Sequence, residues 1–125
     1  MWNNMIQGEF NNRGELFFEV GLISADGEIV PVMAMLDTGF TGWLAIDNQD
    51  ADSLGWRNYN YTRDMQTARG EAQFNLYEAK VVIEEEEFTV EVLGGNELVN
   101  IILGVLWLRT KRLVVDFPMG VLTLG

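Results

Sequence analysis

Short apolar runs separated by turn-forming residues limit the folds open to this sequence more than any other feature. The runs "GELFFEVGLIS" and "EIVPVMAML" flank Ala25-Asp26-Gly27. An Asp-Gly pair between two strand-like runs is a strong short-range signal for a β-hairpin. The sequence therefore predicts two paired strands, over residues 14–24 and 28–36.

The rest of the chain repeats this alternation of short strands and turns. "GWLAID" predicts a strand, and "NQDADSLGW" begins with capping-type residues that predict one or two helical turns before Gly55. Gly70 is predicted to be the tip of a second hairpin. Later apolar runs predict the remaining elements, namely strands at about 77–83 and 87–93, a buried strand over 101–103, a short helix in "VLWLRTK", and a final hairpin of "RLVVDF" and "GVLTL". Eight or nine strands with one or two short helices indicate a mainly β fold, a partly closed barrel.

Composition predicts one domain, residues 1–125, because the length and the 48% apolar content suffice for a single core. Nineteen acidic and eight basic side chains give a formal charge of −11, which would repel nucleic acid and anionic membranes, so neither is expected as a partner. "MWNNMIQGEF" lacks the features of a signal peptide, and the longest apolar stretch, "IILGVLWL", is too short to cross a bilayer. We therefore expect a soluble, cytoplasmic protein.

The chain contains neither cysteine nor histidine. Thiol nucleophiles and Ser-His-Asp arrangements are therefore excluded, and a zinc site has no preferred ligands. If the protein is an enzyme, carboxylates must transfer the protons. In the stretch "MLDTGFTG", Asp37 follows an apolar strand. Removing a carboxylate from water costs several kcal/mol, so a carboxylate at this position needs a structural or a chemical explanation.

Two motifs lie about 65 residues apart. The first is an apolar strand ending in Leu36-Asp37-Thr38-Gly39, and the second is Ile102-Leu103-Gly104 followed by a short helix. With the short helix ending at "LGW", the hairpin around "ARGE" and the closing "LVVDFPMGVLTL", nearly the whole chain resembles the single-domain retropepsin-like aspartic proteases. The resemblance implies the retropepsin-like acid protease fold, with one lobe per chain.

The resemblance also implies an aspartic endopeptidase that is active as a homodimer. Each copy would supply one Asp37, and the two carboxylates would share a proton, so that one activates a water and the other donates to the scissile carbonyl. Thr38 would form a hydrogen bond across the two-fold axis, and Gly39 would present its N–H to the carboxylates. Ile102, Leu103 and Gly104 would support this loop from behind.

The hairpin around Gly70 would be a flap that closes over the substrate, with Ala68, Arg69 and Glu71 flanking its tip. Phe40 stands where the family usually has a small residue, beside the presumed substrate channel. The expected partners are a second copy of the chain and a peptide or protein substrate. Because water is the nucleophile, no metal and no other cofactor is expected.

Other interpretations of the same residues remain open. The Asp-Thr-Gly stretch could be an Asx turn after a strand, with glycine supplying positive φ, and Gly70 could be an ordinary hairpin glycine. The chain could also be a catalytically inactive domain for dimerisation or peptide binding, which Phe40 favours, or a monomeric barrel. Asp116 lacks an Asp-Thr-Gly context and is a weak candidate for a second catalytic carboxylate.

Two further groups of residues are predicted to have structural roles. The acidic run Glu84 to Glu87 predicts a solvated turn between two strands. The large aromatic side chains predict core or interface packing rather than a ligand site, and they are Trp43, Trp56, Phe74, Tyr77 and Trp107.

Overall fold

A computed structural model describes residues 5–67 and 70–125 of the chain. The described residues form a mainly β structure with one short α-helix and one 3₁₀ helix. The elements are β1 Ile6–Gln7, β2 Glu9–Phe10, β3 Leu16–Ile23, β4 Ile29–Leu36, β5 Leu44–Asp47, α1 Asn48–Ser53, β6 Arg57–Thr67, β7 Gly70–Ile83, β8 Glu86–Gly95, β9 Ile101–Leu103, the 3₁₀ helix Val105–Arg109, β10 Leu113–Asp116 and β11 Val121–Leu124.

The first predicted hairpin is confirmed. Strands β3 and β4 pair along their full lengths, from Leu16 opposite Leu36 to Ile23 opposite Ile29. The second strand of this antiparallel pair ends at Leu36, directly before Asp37. The hairpin therefore sets where the candidate carboxylate emerges from the sheet.

A partly closed barrel carries the candidate site. The strand order is β2-β3-β4-β9-β5-β8-β7-β6, and an additional pairing of β3 with β7 closes a ring of the strands β3, β4, β9, β5, β8 and β7. Within this ring, β4 pairs with β9 and β5 pairs with β8 in parallel. The parallel pair of β4 and β9 places the two motifs of the sequence side by side, because Leu36 lies opposite Leu103.

The interior of the barrel is apolar. Each fully buried large apolar side chain stabilises the fold by roughly 1.5–3 kcal/mol. The largest fully buried side chains are Phe18, Leu22, Leu44, Ile46, Tyr77, Val81, Ile83, Val92, Leu103, Trp107 and Leu124.

Aromatic packing agrees with the prediction at four of the five positions. Trp107 is fully buried, and its ring makes an edge contact with Trp43 at a centroid distance of 4.9 Å. Trp56 is buried and donates its indole N–H to the Ile23 carbonyl at 2.8 Å. Tyr77 is 1% exposed. Phe74 differs, because it lines the cleft described below.

The structure extends two predicted strands and adds others. Strand β7 begins at Gly70 rather than at 77, because its first half pairs with the polar strand β6 beyond the edge of the core. In the acidic run, Glu84 and Glu85 form the turn with positive φ, whereas Glu86 already belongs to β8. The two-residue strands β1 and β2 have no sequence signal of their own, since they are held by pairing with β11 and β3.

A second, three-stranded sheet joins the two ends of the chain. Its order is β1-β11-β10, and we call it the terminal sheet. Strands β10 and β11 form the predicted final hairpin, with Leu113 opposite Leu124 and Asp116 opposite Val121. Within the described ranges, no helix has the length and apolar character needed to cross a membrane.

Candidate active site

Asp37 begins the loop that connects β4 to β5, residues 37–43, which we call the Asp37 loop. The Asp37 backbone N–H donates to the Leu103 carbonyl at 2.9 Å, so β9 fixes the start of the loop. The Gly39 N–H donates to Asp37 Oδ1 at 2.8 Å, and the Phe40 N–H donates to the Asp37 carbonyl at 3.1 Å. In this single chain the Asp37 residue is only partly buried.

The segment after β9 holds the other end of the Asp37 loop through backbone carbonyls. Gly104 donates its N–H to the Trp43 carbonyl at 3.0 Å, and Val105 donates to the Phe40 carbonyl at 2.9 Å. The indole N–H of Trp107 also donates to the Trp43 carbonyl, at 2.7 Å. These bonds tie the loop to a buried tryptophan and restrict the positions that the Asp37 carboxylate can take.

Gly104 packs directly behind the Asp37 loop. A Cβ at Gly104 would overlap the Gly42 carbonyl and lie 2.8 Å from a ring carbon of Phe40. A Cβ at Gly42 would lie 2.5 Å from the same ring. Phe40 therefore folds its ring against two glycines, and only residues without a Cβ leave room for it.

The Asp37 carboxylate also disfavours a side chain at position 39. A Cβ there would lie 3.1 Å from Asp37 Oδ1, closer than ordinary contacts allow. Gly39 is not among the described glycines with positive φ, which are Gly14, Gly27, Gly55, Gly70 and Gly120. The Asx-turn hydrogen bond is present, but the positive φ expected from a purely structural turn is not.

A cleft of about 560 Å³ opens beside Asp37. The Asp37 loop and β9 form one side of it, and the β6–β7 hairpin forms the other. Its lining is largely apolar and contains no basic side chain among the described residues. The lining residues are Asp37, Gly39, Phe40, Thr41, Ala45, Met65, Gln66, Phe74, Leu98 and Ile102.

The predicted site residues divide into those that meet at the cleft and those that lie elsewhere. Asp37, Gly39, Phe40 and Ile102 line the cleft, whereas Leu103 is buried behind it. Leu103 and Gly104 contact the back of the Asp37 loop, as described above, and Thr38 is exposed.

Gly70 and Glu71 of the predicted hairpin tip are not among the described residues that line the cleft. Gly70 has a φ of +107° and pairs with Thr67, which confirms a hairpin at this position. Glu71 is exposed and pairs with Gln66. Ala68 and Arg69 lie outside the described residues.

The sequence did not reveal several residues of the cleft. Met65 and Gln66 lie on β6, a polar stretch without an apolar period, and Phe74 lies on the paired strand β7, opposite Arg63. Counting back from Gly70 through the hairpin could have located Met65, since it pairs with Ala72. Leu98 comes from the loop between β8 and β9, and no local signal marks it.

Asp47 connects this Leu98 loop to α1. One carboxylate oxygen, Oδ2, accepts from the Gln49 N–H at 3.0 Å and caps the helix. The other, Oδ1, accepts from the Leu98 N–H at 3.0 Å. Asp47 therefore fixes a cleft-lining residue without entering the cleft.

A polar network lies next to this cap. Asn48 Oδ1 accepts from the Tyr77 hydroxyl and from the Asn75 amide, both at 3.1 Å, and the Asn48 amide donates to Asn96 Oδ1 at 2.9 Å. Burial raises the pKa of Tyr77 above 10.0, and the nearby carboxylates of Asp52 and Asp47 raise it further. The Tyr77 phenol is therefore a neutral hydrogen-bond donor in the folded protein.

The remaining candidates for chemistry lie away from the cleft. Asp116 is in the terminal sheet, where Oδ1 accepts from the Met119 N–H at 3.1 Å in the final turn. In the part of the chain that the structure describes, no three acidic side chains gather into a site for a metal ion. Among the described carboxylates, Asp37 therefore combines two features: hydrogen bonds hold its backbone to β9, and it lines the cleft.

No protein-family model and no curated protein matches the sequence. Among solved structures, the chain is similar to a retropepsin-like aspartic protease from Rickettsia conorii, with 27% identity and a TM-score of 0.72. That match covers 96% of this chain and 89% of the Rickettsia chain. The solution structure of the simian foamy virus (mac) protease matches with 20% identity and a TM-score of 0.52, over 77% of this chain and 98% of the viral chain.

The two similarities agree with the architecture derived from the residues. The foamy virus match supports the fold alone, while the Rickettsia match extends over nearly the whole chain. In this chain, the partly closed barrel places the Asp37 loop beside β9, the strand that ends at Leu103. The chain has the fold of the retropepsin-like aspartic proteases.

Proposed function

We propose that the protein is an aspartic endopeptidase whose active site combines Asp37 from two copies of the chain. The observation that carries this proposal is the position of Asp37, directly after the buried Leu36 of β4, in a loop that β9 holds by a hydrogen bond and that lines a cleft of about 560 Å³. The similarity to a retropepsin-like aspartic protease supports the same reaction. Because each chain has one Asp-Thr-Gly motif, the second carboxylate comes from a two-fold related copy.

The reaction needs only the two carboxylates and a water molecule. The ionised carboxylate takes a proton from water as the water oxygen bonds to the scissile carbonyl carbon, and the protonated carboxyl gives its proton to the carbonyl oxygen. The resulting diol collapses as its C–N bond breaks: the carboxyl that took the proton from water gives it to the amide nitrogen, and one diol hydroxyl gives its proton to the other carboxylate, which restores the starting pair. Gly39 stabilises the negative charge on Asp37 by donating its N–H to Oδ1.

The β6–β7 hairpin supplies the flap in this proposal. A substrate in extended conformation lies between the hairpin and the Asp37 loop, where it can form main-chain hydrogen bonds with the strands of the hairpin. The apolar side chains of Met65, Phe74, Leu98 and Ile102 receive an apolar substrate side chain next to the scissile bond. Closure of the hairpin then excludes water from the reacting atoms.

Phe40 is compatible with catalysis despite its size. Its ring packs against Gly42 and Gly104. Because these two glycines have no Cβ, they leave space for a ring at a position where the family usually has a small residue. This packing removes the main reason for treating the domain as an inactive dimerisation or peptide-binding module. We therefore keep the endopeptidase as the proposed function.

Cleavage of a diverse peptide library between about pH 4 and about pH 7 tests this proposal, given the acidic range in which carboxylate dyads share a proton. The wild-type chain is expected to cleave the library, and Asp37→Asn is expected to lose cleavage while keeping its fold. Asp26→Asn, in the exposed turn between β3 and β4, is the matched control and should remain active. Equal cleavage by wild type and Asp37→Asn would refute the proposal.

A further inference from the structure

A buried glycine contacts two of the side chains that line the cleft beside Asp37. Gly95 is the last residue of β8, and a Cβ built on it would lie 2.6 Å from Cε2 of the Phe74 ring and 3.2 Å from Cδ1 of Leu98. Phe74 and Leu98 are half-buried and line the cleft, whereas Gly95 is buried and does not line it. Gly95 therefore supports this part of the cleft from behind.

The backbone conformation at Gly95 does not itself require a glycine. Gly95 is not among the described glycines with positive φ, so an L-residue could adopt its conformation. What excludes a side chain is contact with the Phe74 ring, since 2.6 Å is far below the separation of about 3.5–4.0 Å at which two carbon atoms pack. The missing Cβ thus provides the space in which Phe74 and Leu98 pack.

The backbone around Gly95 is held from both sides. Strand β5 pairs with β8 in parallel, with Asp47 opposite Gly95, and β7 pairs with the other edge of β8, with Asn75 opposite Gly94. The Asp47 carboxylate also accepts the Leu98 N–H at 3.0 Å. A backbone shift at Gly95 would disturb these hydrogen bonds, so an added Cβ must be accommodated by movement of side chains.

The two side chains that the Cβ would meet have room to move on the side of the cleft. The contacted atoms are a ring edge of Phe74 and a methyl group of Leu98, which lie at the far ends of side chains with rotatable bonds. The cleft of about 560 Å³ is the open space next to both side chains. A side chain at position 95 would therefore push them into the cleft and reduce the room for a ligand.

The neighbouring glycine, Gly94, has a different role. A Cβ there would overlap Asn48 Oδ1 and lie 2.5 Å from a ring carbon of Tyr77. Asn48 and Tyr77 belong to the polar network described above, and neither lines the cleft. Because successive residues of a strand face opposite sides, Gly95 is the one of the two glycines that faces the cleft-lining side chains.

We propose that Gly95 is a positioning residue that sets the size of the substrate side chain admitted to the cleft. Because it has no side chain, Phe74 and Leu98 pack against the β8 backbone and leave room for a large apolar side chain, of the size of leucine or phenylalanine. The lining contains no basic side chain among the described residues, so an acidic substrate side chain would be buried there without a partner charge. This role depends on the proposed function only in that the cleft binds a peptide, and it does not require hydrolysis.

Fluorescence anisotropy measures peptide binding to the chain with Asp37→Asn, in which hydrolysis does not consume the probe. The probe is the labelled library peptide that this chain binds most tightly, remade with alanine, valine, leucine or phenylalanine at the apolar position whose replacement by alanine weakens binding most. Adding Gly95→Ala is expected to weaken binding of the leucine and phenylalanine peptides at least about tenfold, while the alanine peptide keeps its affinity. Adding Phe74→Leu to Gly95→Ala should restore part of the affinity for the two large peptides, because the shorter side chain relieves the contact.

Gly21→Ala is the matched control. Gly21 is buried in β3 outside the cleft lining, and its Cβ would lie 2.8 Å from a methyl group of Ile29. This variant should lower stability in urea unfolding and leave the order of the four peptide affinities unchanged. If Gly95→Ala alone does not fold, the double variant with Phe74→Leu is compared with Phe74→Leu, and the added methyl group should again disfavour the large peptides.

Three results would overturn the proposal. They are unchanged affinities in Gly95→Ala, an equal loss of affinity for all four peptides, and the absence of binding by any library peptide. If the peptides bind in the expected order but the wild-type chain does not cleave them, the proposed endopeptidase is contradicted while the role of Gly95 is supported.

Discussion

Asp37 illustrates how a single residue is placed by the backbone around it. The sequence predicted its position at the end of an apolar strand and, through the resemblance, its link to Leu103 and Gly104. It did not reveal that Asp37 stays partly exposed in one chain, because exposure depends on a cleft whose far wall comes from a distant hairpin. It also could not show that Phe40 folds back onto Gly42 and Gly104.

Gly104→Ala tests the close packing behind the Asp37 loop. The new Cβ would overlap the Gly42 carbonyl, so the loop must shift, and we expect unfolding free energy to fall by about 1–3 kcal/mol with loss of peptidase activity. Gly120→Ala is the control, since its φ of +67° imposes backbone strain in open space far from the loop. It should lower stability and retain activity. Wild-type activity in Gly104→Ala would contradict the role assigned to this contact.

Tyr77 predicts a pH dependence of stability. Its pKa is raised above 10.0 in the folded protein, mainly by burial, so folding favours the protonated phenol. This contribution is fully present below the unfolded pKa and is lost as pH rises through the folded pKa. Urea unfolding from about pH 8 to about pH 11 should show a steeper loss of stability in wild type than in Tyr77→Phe. Parallel curves for the two proteins would contradict the prediction.

At the scale of elements, local patterns predicted the hairpins better than their lengths. The β3–β4 and β10–β11 hairpins follow from turn residues between apolar runs. Strand β6 and the first half of β7 did not, because their side chains are polar and their order comes from pairing with each other outside the core. For the same reason, the positions of Met65 and Phe74 in the cleft could not be predicted from local sequence.

Asp47 joins two elements, and its two hydrogen bonds can be separated by substitution. Asp47→Ala removes the cap of α1 and the bond to the Leu98 N–H, and we expect a loss of about 1 kcal/mol in stability with a raised KM. Asp47→Ser can keep the cap but cannot bond both groups at once. It should recover stability in thermal unfolding while its KM remains raised. If both variants have the KM of wild type, Asp47 does not position the cleft.

At the scale of the whole molecule, non-local pairing decides what the protein can do. The parallel pair of β4 and β9 brings together motifs about 65 residues apart, and only the resemblance, not a local pattern, anticipated this contact. The terminal sheet was half predicted, since its hairpin was evident but β1 was not. The polar loop that contributes Leu98 to the cleft likewise depends on the closed barrel.

In the proposed enzyme, two copies of Asp37 form one active site, and mixing of wild-type and variant subunits tests whether the site is shared. Wild-type chain is held at a fixed concentration while folded Asp37→Asn chain is added in increasing excess, with Asp26→Asn as the matched addition in a parallel series. If the site is shared, mixed dimers are inactive, and about a tenfold excess of Asp37→Asn should lower wild-type activity roughly tenfold once subunits have exchanged. Full wild-type activity at that excess, with exchange verified by labelled subunits, would contradict the shared site.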